Sequence, residues 1–414
     1  MKKFVIILLV ACVLLGCGLG YFAGKNAAGA PAAEAETPAP AAEEAAPAEE
    51  AAPADTDAEE TGEELAIRTL DLAAMRDLHA MDEIVGDVDG RGVTWDEYYY
   101  WLCETGSQAQ SYIYTMAMYG QSLDWADKLS ADSEQTFAEY TVELAQDCVR
   151  QLSTLEALVK ENNVTLSEEQ EAEIAAQLRS DIDASCGEGA SEEDFNAYLA
   201  ENDLTREMYD RISRANYLYE ALFRTLYGEN AASVSEEDAL GYLTDNEYLS
   251  AGHILFRTVD DGYNPLDEET VAEKRKQAET VSAELRAIED PAARAARFAE
   301  LKAQYCEDPG KVEYPDGYLF TPGQMVEEFE NATRALADFE VSEPVLSAHG
   351  YHVIMRLPLS ADAAVTRSGD GSPMTARTLF ANKVFNDMMK KRIDDSVLTL
   401  NDDVAAIDLM DYIA

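Results

Sequence analysis

Hydrophobic and polar positions follow different periods along this chain. Between residues 137 and 159, "FAEYTVELAQDCVRQLSTLEALV" sets Phe137, Leu144, Cys148, Leu152, Leu155 and Val159 at helical intervals. One face of a long helix is therefore apolar and the other wet. "MYDRISRANYLYEALFRTLYG" repeats the pattern with Tyr209, Ile212, Tyr217, Leu218, Leu222 and Leu226, and Gly228 follows as a C-cap. Its aromatic stripe reads as core rather than as a ligand box. Three further helix starts carry a serine followed three residues later by an acceptor: Ser167 with Gln170, Ser191 with Asp194, Ser235 with Asp238. Such pairs satisfy backbone N–H groups that a first helical turn leaves unbonded. Ahead of them, "EIVGDVDGRGVTWDEYYYWL" reads as strand, glycine-containing turn, strand, and a helix capped near Thr94. Residues 78–246 thus predict a mainly helical domain.

The pattern changes at Tyr248. "AGHILF" is a buried strand, and a charge-laced amphipathic helix from Asp267 to about Ile288 follows it. A second helix spans Pro291 to Tyr305, with proline at a tolerated first position. The stretch "CEDPGKVEYPDGYLF" is rich in turn formers, then come a short helix around "MVEEFENA" and a last strand, "YHVIMRL". Residues 247–358 therefore predict a compact α+β unit. Residues 375–414 supply one more helix and a tail. Its apolar face (Leu379, Val384, Met388, Ile393) needs a partner, and the helical domain is the natural one. The α+β unit then sits as an insertion between two parts of one helical domain.

The N-terminal sequence adds an address. Lys2 and Lys3 precede an apolar run from Phe4 to Ala23, closed by Lys25. A run of about 20 residues is enough to span a hydrocarbon core, and the basic start keeps the N-terminus inside. One reading keeps residues 1–25 as a signal anchor with an extracytoplasmic body. The other takes "LLGC" as a lipobox and lipidates Cys17; "LVAC", ending at Cys12, leaves a very short hydrophobic region. Continuation of the apolar run through Tyr21 and Phe22 favours the anchor at the cell membrane. Residues 26–77 are dominated by Ala, Pro and Glu and predict a self-repelling disordered spacer.

Charge and cysteine then exclude function classes. With 31 basic and 81 acidic residues the formal charge is −50, a surface that phosphate repels, so nucleic acid is not a partner. Beyond the leader, Cys103, Cys148, Cys186 and Cys306 stand far apart with no CxxC, which supports neither a disulfide framework nor a zinc site. An isolated disulfide stays open in an exported chain. The four histidines are His79, His253, His349 and His352. Alone, His253 in a buried strand reads as a hydrogen-bonded core residue. His253, His352 and Asp308 could form a metal triad, but no helical i, i+4 pair supports one.

Four pieces in order, "HILF", "YCEDPG", "GQMVEEFENA" and "VSEPVLSAHGYHVI", resemble the parvulin family of peptidyl-prolyl isomerases. The flanking "VGDVDGRGVTWDEYYYWL" looks like the opening of the helical chaperone domain in extracytoplasmic foldases of the PrsA and SurA type. The resemblance implies cis–trans isomerisation of X-Pro bonds in unfolded or partly folded exported polypeptides, without cofactor or metal. It places His253 and His352 on adjacent central strands beneath the substrate groove. Asp308 falls where the family has Cys or Asp, and Ser347 at a hydroxyl position near the paired histidines. Met325 and Phe329, with Leu319, correspond to the apolar proline pocket; His349 falls at its mouth with no assigned role. Three departures stand out: "PDGYLF" replaces the common "GGDLG", Cys306 stands where Ser is usual, and the basic phosphate-binding loop gives way to Asp260 and Asp261. A phosphorylated Ser-Pro substrate is therefore excluded by repulsion. The altered rim also motivates an alternative, a non-catalytic exported chaperone with a degenerate parvulin domain.

Overall fold

The computed structural model describes residues 67–130, 132–367 and 373–414. The apolar run at Phe4–Ala23, Cys17 and the spacer up to residue 66 lie outside them. Among the described residues no helix is long and apolar enough to cross a membrane. The chain divides into two compact units, one reaching to Leu222 and resuming at Met389–Ala414, the other Phe223–Met388.

In the first unit, β1 (Ile84–Val88) pairs antiparallel with β2 (Arg91–Thr94). The loop between them is Asp89-Gly90, with φ of 51° and 90°. Two consecutive positive φ values match the twist of a tight hairpin, which is why Asp-Gly occupies the turn. Five helices follow: α1 (Trp95–Met118), α2 (Phe137–Glu161), α3 (Glu168–Cys186), α4 (Glu192–Glu201) and α5 (Arg206–Tyr227). Ser167 and Ser191 each close a full capping box at α3 and α4. Thr136 and Glu139 close another at α2, which the sequence reading passed over. The core is aromatic: Trp95, Trp101, Trp125, Tyr98 and Tyr99 are fully buried. The strand Leu398–Leu400 completes the sheet by pairing with β1, so two distant parts of the chain share one core.

Order in this unit begins earlier than Leu78. Leu70 bridges Ile413, a 3-10 helix covers Leu72–Leu78, and Met75 is buried. Three apolar residues within a short span carry no period, so composition alone extended the spacer too far.

The second unit contains α6 (Glu236–Asp245), β3 (Leu249–Arg257), α7 (Glu268–Arg286), α8 (Pro291–Tyr305), β4 (Tyr318–Phe320), α9 (Glu327–Ala335), β5 (Val345–Ser347) and β6 (Gly350–Leu357). The four strands form one antiparallel sheet in the order β4-β3-β6-β5. One face buries Ile254, Phe256, Val353 and Met355 against Val281 and Leu285 of α7 and Phe298 and Leu301 of α8. The other face carries Leu249, Ala251 and Ile354 against Phe320 and against Phe329 of α9. Covered on both sides, β3 is buried from Leu249 through Phe256. The strands β7 (Ala364–Arg367) and β8 (Pro373–Thr375) pair with each other, and α10 (Ala376–Asp395) follows.

Two boundaries differ from the periodicity reading. Residues 223–246, assigned to the helical domain, cluster with the second unit: Ala231, Val234, Ala239 and Leu243 pack with Ala361, Ala376 and Ala381. In α10 the buried stripe is Ala381, Phe385 and Met389, whereas Val384 is exposed. Apolar residues lie on more than one face of that helix, and the large Phe385 ring takes the inward position, edge-on to Phe223 at 5.4 Å between centroids.

Candidate active site

The register of β3 against β6 sets the two histidines side by side. His253 lies opposite Ile354, and His352 lies opposite Leu255. They are diagonal neighbours on one face of the sheet. Their rings stack with centroids 5.1 Å apart, and Nδ1 meets Nδ1 at 2.9 Å. Both are buried, at 7% and 4% exposure, so each ring nitrogen requires a partner.

Those partners form a continuous chain. His253 Nε2 meets Asp308 Oδ2 at 2.8 Å, and His352 Nε2 meets Ser347 Oγ at 2.8 Å. Ser347 Oγ in turn accepts the His349 N–H at 3.1 Å. An ionised carboxylate only accepts, so His253 must donate its Nε2–H to Asp308. The Nδ1–Nδ1 contact then holds one proton between two rings.

Electrostatics agree with this arrangement. Burial pushes the His352 imidazole down to about 3; nearby His253 and His349 push the same way, and Asp308 opposes. Burial would raise the Asp308 carboxyl, but hydrogen bonds from His253, Tyr318 and the Gly310 N–H outweigh it and hold it below the usual carboxylate range. A neutral His352 and an ionised Asp308 therefore coexist near neutral pH.

Local sequence explains how Asp308 is presented. It caps the 3-10 helix Pro309–Val312, with Oδ1 accepting the Gly310 N–H at 3.0 Å and Oδ2 left for the site. Phe329 of α9 sits edge-on to both imidazoles, 5.3 Å from His253 and 5.5 Å from His352. Met325 packs in the same apolar cluster. Cys306 lies behind the sheet: its Sγ donates to the His253 carbonyl at 3.6 Å and accepts the Leu255 N–H.

Of the residues expected at the site, His253, Asp308, His352, Ser347, Met325 and Phe329 come together. Leu319 does not. It packs instead against the buried cluster that contains Ala231, Ala239 and Leu243, on the opposite side of β4. The side chain that enters the site from that strand is Tyr318, whose hydroxyl donates to Asp308 Oδ2 at 2.6 Å. His349 stays out of the hydrogen-bonded ring chain, with Tyr263 edge-on at 6.0 Å. Among the described residues no cluster of His, Cys, Asp and Glu is arranged to hold a metal ion.

Comparison with known proteins follows the same geometry. Residues 253–357 match the family model of the rotamase, or PPIC-type PPIase, domain. The foldase protein PrsA of Oceanobacillus iheyensis is 31% identical over 243 residues, covering 55% of this chain and 67% of that protein. The chain belongs to the PrsA foldase family. Foldase protein PrsA 4 of Bacillus cereus is 34% identical over 166 residues, 39% of this chain, and the match spans about half of that relative, 47%. The crystal structure of PrsA from Bacillus subtilis aligns over 64% of this chain and 88% of its own, at 19% identity and a TM-score of 0.24. The matched PPIC-type domain begins at His253 and ends just beyond His352, the two residues that the sheet register places side by side.

Proposed function

We propose that this PrsA-family chain is an extracytoplasmic foldase that rotates X-Pro bonds in exported polypeptides, held at the membrane by its N-terminal segment. The observation that carries the reading is the unbroken hydrogen-bond chain from Asp308 through His253 and His352 to Ser347, roofed by Phe329.

Such a site suits a reaction in which no bond breaks. Amide rotation meets a barrier of about 18–20 kcal/mol because the C–N bond is partly double. A catalyst needs only to bind the twisted amide more tightly than the planar one. Phe329 and Met325 offer the proline ring an apolar wall, which also excludes water from the amide. That exclusion disfavours the charge-separated planar form. The buried imidazoles set the shape and polarity of the floor, and Asp308 holds the His253 proton in place. In this reading the histidines work as a rigid hydrogen-bonded platform, and no nucleophile or metal is required.

The substituted rim at Tyr318 favours one rival, an isomerase fold that binds clients without turning over. Protease-free NMR exchange spectroscopy on an Ala-Pro peptide separates the two. The expected result is accelerated exchange with the wild-type chain and a large loss in His352→Ala. No exchange by either, with aggregation of an unfolded protein still suppressed, would leave only the binding role. For the tether, mass analysis of the mature N-terminus distinguishes a retained apolar run from a chain that starts at lipidated Cys17.

A further inference from the structure

Tyr318 is a departure from the pattern that the rest of the site follows, and its surroundings are built to accept it. On β4 it pairs with Ala251, two residues before His253 on the same face of β3. The ring therefore reaches His253 diagonally, edge-on at 5.5 Å and 86°. Its hydroxyl and His253 Nε2 both point at one oxygen, Asp308 Oδ2, at 2.6 and 2.8 Å. Gly310 makes the room: a Cβ there would lie 2.1 Å from the Tyr318 hydroxyl oxygen. A glycine two residues after Asp308 and a tyrosine on the next strand are thus a matched pair.

We propose that Tyr318 is a positioning residue of the isomerase site, fixing the Asp308 carboxylate so that it keeps the His253 Nε2–H and the proton order of the paired imidazoles. The inference rests on the isomerase reading above. A carboxylate oxygen that takes two donors is oriented by both and gains from each, because hydrogen bonds to a charged group are the strong ones. Burial and the neighbouring Asp308 raise the Tyr318 phenol, which keeps it protonated as a donor. The other groups around Asp308 are His253 and, beyond it, His352 on the sheet, Cys306 before it, Tyr314 against the Tyr318 ring, and Lys311, whose ammonium is held by the Cys306 carbonyl. Among the described residues, only His253 and Tyr318 donate side-chain hydrogen bonds to the carboxylate.

The test uses the full chain and two variants. Tyr318→Phe keeps the ring and removes the donor; Gly310→Ala keeps the donor and pushes it off the carboxylate. NMR titration of the Asp308 carboxyl carbon and nitrogen shifts of His253 report the contact directly, and peptide exchange reports its use. Both variants are expected to raise the Asp308 midpoint by about one unit or more. They should also lower kcat about tenfold with little change in KM, the scale of one lost hydrogen bond to a charge. An unchanged Asp308 titration and His253 proton position in both variants would overturn the proposal, even if melting temperature falls. An altered titration with unchanged kcat would also overturn it. A wild-type chain without exchange refutes the isomerase reading, and with it any positioning role in catalysis, while the titration still decides whether Tyr318 holds Asp308.

Discussion

Acidification from about pH 7 to about pH 4 protonates an ordinary imidazole, whose midpoint lies near about 6.5. His352 in the folded chain resists, because burial and its neighbours bring its midpoint to about 3. Between those two values the unfolded chain carries a proton that the folded chain refuses. Stability linked to His352 is therefore fully present above the unfolded midpoint and drains away as pH falls below it. The slope is about 1.4 kcal/mol per pH unit, so the fall to pH 4 removes at most about 3 kcal/mol. Asp308, also depressed, begins to contribute near about pH 5, and with an unfolded midpoint of about 3.9 it removes less than about 0.5 kcal/mol by pH 4. Trp95, Trp101 and Trp125 all lie in the first unit, so tryptophan fluorescence would report the wrong part of the molecule. Amide hydrogen exchange along β3 and β6 reports the right one. His352→Gln has no proton to take up, so it serves as the reference at each pH. The wild-type advantage over this variant is expected to shrink by about 3 kcal/mol from pH 7 to pH 4. A constant difference across that range would mean that the folded site accepts the proton, and the account of a neutral, desolvated His352 would be refuted.

Two further outcomes concern the first unit. Glu97 is fully buried and takes paired hydrogen bonds from Arg91, at 2.9 and 2.7 Å, and from Arg211, at 3.1 and 3.2 Å. Glu97→Gln leaves Arg91 and Arg211 with Glu156 as their remaining shared carboxylate, so it should cost about 1.5–3 kcal/mol, the scale of lost hydrogen bonds to a charged group, in urea unfolding followed by tryptophan fluorescence; a loss below about 0.5 kcal/mol would argue that water reaches the network. Deleting residues 396–414 removes the strand that pairs with β1 and should lower the melting temperature of the first unit while exchange protection along β3 and β6 stays unchanged.

Much of this architecture was legible because its signals are local. The caps at Ser167 and Ser191 act within four residues, and the Asp89-Gly90 turn within two. Long helices such as α2 repeat their apolar period often enough to declare it. The histidine pair was readable for another reason: "HILF" and "GYHVI" are each strong strand patterns, and the resemblance joined them across the intervening helices. Signals failed where the segment was short or the apolar residues faced several ways. Leu70, Leu72 and Met75 looked like spacer, and the buried stripe of α10 fell on Phe385 rather than on the face through Val384.

The choice between Tyr318 and Leu319 shows where the division lies. The sequence by itself determined that the stretch after Asp308 would be rich in turns and end in a short helix, and its resemblance to parvulins implied that His253 and His352 lie on adjacent strands beneath the groove. It did not determine which side chain of "YLF" faces that pair. Neighbouring residues on a strand point to opposite faces, so one step of register exchanges site for core. A strand of three residues has no periodicity to reveal its phase. The pairing of Tyr318 with Ala251 decided it, together with the space left by Gly310. Those are contacts across the fold, and only the tertiary structure contains them.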